Sequence, residues 1–237
     1  MRNFAFLLLI LLSSCKQRNT QPCDDSYVRG NNFLLESDFR NAQKEFESSI
    51  QKDPNNANAY YGLALTYSVA GDNSKAIDYF TKSIELNSDF TLAYAERGTL
   101  YLNSGDFRQA KKDFNKVVTL APDLVVPYLY LGQIEIQNSN YQEAISNFEE
   151  VLKRDPKNAT AYLSKGISEG TQGDYKNAIS SITKSIELNP KNAIAYVYKG
   201  TFEFQNKMSD AACTDFHKAE ELGLNAQSYI DSYCKDK

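Results

Sequence analysis

Tryptophan is absent from this chain of 237 residues, and histidine occurs only once, as His217. A single histidine argues against a histidine-rich metal site, and its position directly after Phe216 predicts a packing or solvated side chain rather than a catalytic one. Neither sign of charge dominates, because 26 Lys and Arg residues stand against 30 Asp and Glu residues. A nucleic-acid-binding protein would show a basic stripe, so we expect no nucleic acid partner.

Long apolar runs are also scarce, and the mean hydropathy of −0.51 argues against a protein with several membrane spans. The marked apolar run extends from Phe4 to Leu12, behind the short cationic start Met1-Arg2-Asn3. It is about half as long as the roughly 20 residues that cross a bilayer as a helix. This pattern predicts a secretory signal peptide over residues 1–14.

The segment Leu12-Ser13-Ser14-Cys15 resembles the lipobox of bacterial lipoproteins. The resemblance implies cleavage before Cys15, acylation of Cys15 with fatty acids such as palmitate, and a membrane-anchored protein with residues 15–22 as a polar tether. Lys16, in place of an aspartate, implies the outer membrane, and both its periplasmic and its outer face stay open. The alternative is an ordinary signal peptide with a chance cysteine.

Residues 23–226 align on themselves at a period of 34 as six repeats, 23–56, 57–90, 91–124, 125–158, 159–192 and 193–226. Small residues at two positions of each repeat would let two helices approach closely, and a large apolar residue between them would fill the space. The eighth position holds Gly30, Ala64, Gly98, Gly132, Gly166 and Gly200, and the twentieth is always alanine. The twenty-fourth position holds Phe46, Phe80, Phe114, Phe148, Ile182 and Phe216.

Turn signals divide each repeat into two helices. Gly71-Asp72, Gly105-Asp106 and Gly173-Asp174 pair a residue suited to end one helix with a residue suited to cap the next. Ser37-Asp38 and Ser139-Asn140 are weaker versions of the same signal.

These positions together resemble the tetratricopeptide repeat (TPR). The resemblance implies an all-α fold, a right-handed superhelical solenoid of six helix pairs, with residues 227–237 as a capping helix that carries Tyr229, Ile230 and Tyr233. Glu135, Glu169 and Glu203 depart from the aromatic residue that the family prefers at the eleventh position. Lys165 and Lys199 stand four residues before two of these glutamates, which predicts local ion pairs.

The remaining cysteines suit an oxidising compartment. In the stacking that the family implies, Cys234 of the capping helix faces Cys213, so we expect a disulfide between them, with two buried free thiols as the alternative. Cys23 is then left over as an unpaired or intermolecular thiol.

The family's concave groove is lined by the second, fifth, ninth and twelfth positions of each first helix, and here these positions are mostly apolar. The predicted partner-binding residues, with two tyrosines at the sixth position as edge anchors, are Tyr61, Leu65, Leu92, Leu102, Val126, Leu129, Tyr130, Ile136, Leu163, Ile167, Ile194, Val197, Tyr198 and Phe204. The Lys, Asn and Arg clamp that binds a terminal carboxylate in chaperone-binding members is missing. An open apolar groove would take a partner's segment or a second copy of the chain. The alternative is that neighbouring first helices pack closely enough to bury the stripe.

No nucleophile, base and charge stabiliser converge in this register, so we expect no enzymatic activity, no cofactor and no metal. The sequence therefore predicts a lipid-anchored scaffold or adaptor in the bacterial cell envelope, with an envelope protein or peptide segment as its partner and self-association as a second outcome. The alternative is a surface or periplasmic accessory receptor for a small ligand such as a glycan, although tryptophan, frequent in sugar-binding platforms, is absent.

Overall fold

The computed structural model describes residues 25–234, and within that range it contains helices and no strand. The predicted signal peptide, Cys15, the tether and Cys23 lie outside the described residues. The helices are α1 (Asp25–Leu35), α2 (Phe39–Lys52), α3 (Ala57–Val69), α4 (Asn73–Leu86), α5 (Thr91–Asn103), α6 (Phe107–Leu120), α7 (Val125–Gln137), α8 (Tyr141–Arg154), α9 (Ala159–Thr171), α10 (Tyr175–Leu188), α11 (Ala193–Gln205), α12 (Ser209–Glu221) and α13 (Gln227–Tyr233). The all-α prediction is confirmed. Across the described range, no helix has the length and apolar character needed to cross a membrane.

The helices form two compact units, residues 25–116 and 117–234, which divide within α6. Unit 1 contains the packed pairs α1–α2 and α3–α4, with α5 against α4, and unit 2 contains α7–α8, α9–α10 and α11–α12. The first helix of a pair is called the A helix and the second the B helix below. From the third repeat onward, both helices of each pair begin 34 residues after their counterparts in the preceding pair, so the local structure follows the sequence period.

The turns between A and B helices use the predicted residues. Gly71 adopts φ of 81°, and Asp72 accepts a hydrogen bond from the backbone N–H of Lys75 with its side chain. The sixth repeat lacks the glycine, yet Lys207 makes the same left-handed turn with φ of 62°, a conformation that costs a residue with a side chain about 1 kcal/mol. Asn140 departs from the prediction, because its side chain makes no helix cap and instead donates to Glu135 at 2.9 Å.

Close packing between A and B helices depends on the small eighth residue. A Cβ atom added to Gly132 would lie 2.6 Å from the ring of Phe148, and one added to Gly200 would lie 2.8 Å from the ring of Phe216. The six apolar side chains at the twenty-fourth position are each at most 1% exposed. The predicted pairing of a small residue with a large one therefore sets the distance between the two helices.

The helix α13 packs against α12 and closes the end of unit 2. The rings of Tyr229 and Tyr233 lie over Phe216, with ring centroids 5.3 Å and 5.7 Å away. A disulfide joins Cys213 to Cys234, the pair that the resemblance implied, with a Cα–Cα distance of 5.7 Å. Closing a loop of this length in the unfolded chain gives a stabilisation of about 3 kcal/mol.

Candidate functional site

Three ion pairs between A and B helices were not predicted from the sequence. In the first, third and sixth repeats a cation at the seventh position contacts an acid sixteen residues later. The pairs and their N–O distances are Arg29–Glu45 at 2.7 Å, Arg97–Asp113 at 2.7 Å and Lys199–Asp215 at 2.6 Å. Residues of opposite charge sixteen positions apart in the sequence were the signal from which these ion pairs could have been predicted.

The Arg97 site shows how such a pair occupies the groove beside an A helix of unit 1. Its guanidinium donates to both carboxylate oxygens of Asp113, at 2.8 Å and 2.7 Å, and to the hydroxyl of Thr81 at 2.9 Å. It also lies over the rings of Tyr94 and Tyr101, 5.7 Å and 5.9 Å from their centroids. Because Arg97 and Asp113 satisfy each other's charge and Arg97 also reaches Thr81, this pair stabilises the packing of the helices.

The ion pairs predicted for two of the unusual glutamates are confirmed. Lys199 lies 2.7 Å from Glu203, and Lys165 lies 3.6 Å from Glu169. Lys165 also reaches Glu149 of the preceding B helix at 2.9 Å. Among the described residues, no three His, Cys, Asp or Glu side chains are grouped to hold a metal ion, and His217 is exposed.

Glu203 is buried, with 2% of its surface exposed, as are Glu135 at 2% and Glu169 at 8%, but it differs from them in its hydrogen bonding. Its Oε2 atom finds no hydrogen-bond donor in the part of the chain that the structure describes. Burial raises the pKa of the Glu203 carboxyl to about 6, the hydrogen bond from Lys199 opposes the rise, and the charge of Asp215 adds to it. The neutral form of Glu203 is therefore favoured by folding.

Apolar side chains of the predicted groove remain accessible mainly in unit 2. Val126 of α7 is 54% exposed, Ile194 of α11 is 52% exposed and Tyr198 of α11 is 37% exposed. The helix α9 lies against both α7 and α11. The half-buried members of the predicted groove on these three helices are Leu129, Tyr130, Ile136, Leu163 and Ile167. These eight side chains are called the A-helix surface below.

Three predicted groove residues are corrected by the structure. Tyr61 and Leu65 belong to the core of unit 1, because the Tyr61 ring packs between Phe80 and Phe90 with centroids 5.6 Å and 4.9 Å away. Val197 is 8% exposed and packs with Ala219 and Ala226. Close packing thus buries these parts of the stripe, which was the alternative considered.

Other members of the stripe have roles inside the fold. The ring of Phe204 lies 4.4 Å from that of Tyr233, so the capping helix covers a residue that was expected to face a partner. Leu92 packs against the core of unit 1, Leu163 packs against the core between α10 and α11, and Leu102 is half-buried. The accessible apolar surface is therefore smaller than predicted.

Comparison with known families agrees with this architecture. Three family models described as tetratricopeptide repeat match residues 57–90, 92–124 and 129–179. The chain belongs to the tetratricopeptide repeat family. No significant match to a curated protein sequence was found.

Solved structures of other proteins share the fold at low sequence identity. YrrB, described as a TPR protein with an unusual peptide-binding site, aligns with a TM-score of 0.71 and 19% identity over 79% of this chain and 96% of its own. PilF of Pseudomonas aeruginosa aligns with a TM-score of 0.68 and 16% identity over 88% and 96%. A tetratricopeptide repeat protein from Parabacteroides merdae aligns at 0.54 and 22% identity over 89% and 82%.

The buried Glu203 makes the stability of the sixth TPR repeat depend on pH. Its pKa in the folded protein, about 6, lies above the ordinary 4.5, so folding binds its proton more tightly and the free energy of unfolding rises as the pH falls through 6. Full protonation, reached below pH 4.5, corresponds to a gain of up to about 2 kcal/mol. We compare the free energy of unfolding of the wild type with that of Glu203→Gln. We expect the wild type to be more stable, relative to the variant, at pH 5 than at pH 7.5.

Urea denaturation of both proteins at the two pH values measures this shift. Titrating groups that do not interact with Glu203 are common to both proteins and cancel in the difference. A difference that stays constant, or that moves in favour of the variant at pH 5, would contradict the assignment.

Proposed function

We propose that this TPR protein is a non-enzymatic scaffold, held in the bacterial cell envelope by lipid on Cys15, and that its A-helix surface binds an apolar segment of a partner protein. The observation that carries this proposal is the exposure of Val126, Ile194 and Tyr198 on A helices of unit 2. Covering large apolar side chains with a partner lowers the free energy, because apolar surface is removed from water. Exposed apolar patches of folded proteins mark interaction sites.

The pattern of the surface favours a helical or extended peptide as the bound segment. Val126, Leu129 and Ile136 recur at helical spacing on one side of α7, and Ile194 and Tyr198 do so on α11. A partner helix with apolar residues at spacings of three, four and seven would match such a stripe. Tyr198 supplies an aromatic anchor, the residue type that dominates the energy of many protein interfaces.

The comparison with YrrB supports a peptide as the ligand class. That protein is described as having a peptide-binding site, and it shares the fold over most of both chains. At 19% identity the likeness concerns the fold, so the binding residues proposed here depend on the exposure of the side chains in this chain alone.

The envelope location depends on the sequence before residue 25. A cationic start, the apolar run Phe4–Leu12 and Cys15 favour a lipidated N-terminus, and Lys16 favours the outer membrane. Each methylene group that enters the membrane contributes about 0.8 kcal/mol to binding. Several acyl chains on one residue would therefore anchor the protein stably.

Charge on the A-helix surface should abolish partner binding without unfolding the protein. We expect the double variant Val126→Glu/Ile194→Glu to retain less than about a tenth of the partner, because each glutamate would be desolvated against an apolar segment. Val69→Glu in unit 1 is the matched control, since Val69 is 45% exposed. The measurement is quantitative mass spectrometry of envelope proteins that co-purify with each chain, with melting curves of each variant.

Equal recovery of every co-purifying protein with the double variant and with Val69→Glu would contradict the proposed surface. A large fall in the melting temperature of the double variant would place these side chains in the core and would equally overturn the proposal.

Replacement of the proposed lipidated residue tests the anchor separately. We expect Cys15→Ser to move the protein from the membrane fraction to the soluble fraction of its cells, because no acyl chain can be attached to the serine by the lipoprotein route. Fractionation and immunoblotting measure this change, with Cys23→Ser as the control. Continued membrane association of Cys15→Ser would reject the lipid anchor.

A further inference from the structure

A polar cavity of about 480 Å³ lies in unit 2, and its lining includes none of the residues of the A-helix surface. It is bounded by α8, α9 and α10. Its wall includes Glu149 of α8, Tyr162, Lys165 and Glu169 of α9, and Ser180, Ser181 and Lys184 of α10. A space of this volume is ample for one or two sugar rings.

Two residue changes relative to the third repeat explain why this groove is open. There, Tyr101 at the eleventh position and Asp113 at the twenty-third occupy the corresponding groove around Arg97. In the fifth repeat these positions hold Glu169 and Ser181. The short serine side chain cannot reach Lys165 as Asp113 reaches Arg97, and a cavity remains where the aspartate would be.

The fifth repeat compensates for the missing aspartate with charge from a neighbouring helix. Lys165 is held between Glu149 of α8 at 2.9 Å and Glu169 of its own helix at 3.6 Å. Ser181 donates to the other oxygen of Glu169 at 2.7 Å. The cavity wall thus carries two ammonium groups, those of Lys165 and Lys184, and two carboxylates, those of Glu149 and Glu169. Because these charges balance, a ligand with a net charge would gain little and would disturb existing pairs.

The cavity wall offers hydrogen-bond donors and acceptors side by side. Carboxylate oxygens accept, the ammonium group donates, and the hydroxyl groups of Tyr162, Ser180 and Ser181 do both. A ring that carries several hydroxyl groups matches such a wall, because each hydroxyl also donates and accepts, and hydrogen bonds to ionised groups are the stronger ones.

We propose that this cavity between α8, α9 and α10 binds a neutral saccharide of one or two rings. The site is independent of the protein-binding surface, so either can fail alone. Affinity should be weak, with a dissociation constant of about 1 mM, because the Glu149 side chain at the rim is 55% exposed and water competes there.

The test is NMR titration of the full chain with a panel of neutral mono- and disaccharides, with backbone amide signals assigned. At least one sugar should shift signals of α8, α9 and α10 at concentrations up to about ten times the expected dissociation constant. Ser181→Asp should weaken this binding at least about tenfold, because the aspartate fills the cavity and pairs with Lys165. The sixth repeat shows that Lys, Glu and Asp fit together in this arrangement, as Lys199, Glu203 and Asp215.

Ser146→Asp is the matched control, since Ser146 is an exposed serine on α8 outside the cavity wall, and it should bind sugar as the wild type does. If Ser181→Asp fails to fold, Glu149→Gln at the exposed rim replaces it and should weaken binding severalfold. The absence of shifts with every sugar, shifts located only on the A-helix surface, or shifts produced by acidic peptides but not by sugars would each overturn the proposal.

Discussion

The contact between the small eighth residue of an A helix and the large apolar residue of its B helix fixes the geometry of every repeat. At Gly132 there is no room for even one additional carbon, because the Phe148 ring would lie 2.6 Å from it. Folded cores are packed to the density of organic crystals, so a side chain at this point would force the helices apart. Since the contact recurs every 34 residues, the spacing of the helix pairs follows from it.

With the helix pairs held in this way, the side chains next to this contact can differ between repeats. The seventh and twenty-third positions hold Leu63 and Tyr79 in the second repeat, an arginine–aspartate pair in the third, and a lysine and a serine in the fifth. In the second repeat the groove is closed by the Tyr67 and Tyr79 rings, stacked with centroids 5.3 Å apart. One backbone geometry therefore carries an aromatic stack, an ion pair and a polar cavity.

Much of the fold could be predicted from the sequence because it depends on local signals. The turn at Gly71 and the cap at Asp72 involve neighbouring residues, and the small eighth position meets its partner sixteen residues later within the same repeat. The ion pairs of Glu169 and Glu203 were predicted for the same reason, since their lysines stand one helical turn away.

The accessible surface was harder to predict because it depends on contacts that the repeat period does not specify. Tyr61 occupies a groove position of its own helix, yet it is buried by Phe90 at the end of its repeat and by Phe80. Phe204 is covered by Tyr233 of the capping helix. Side-chain volume and helix approach decide such burial, and neither can be read from the period alone. The cavity beside Lys165 likewise depends on a helix of the preceding repeat.

Photo-crosslinking in the native cells tests the central claim, that unit 2 presents a partner-binding surface, most directly. One photoreactive amino acid replaces Ile194, which is 52% exposed and belongs to the proposed surface. In a second protein it replaces Val69, which is 45% exposed and lies outside that surface. If the A-helix surface binds a partner, the probe at Ile194 will form a cross-link to a discrete protein, and the probe at Val69 will not. The same adducts from both positions, or no protein adduct from Ile194, would contradict it.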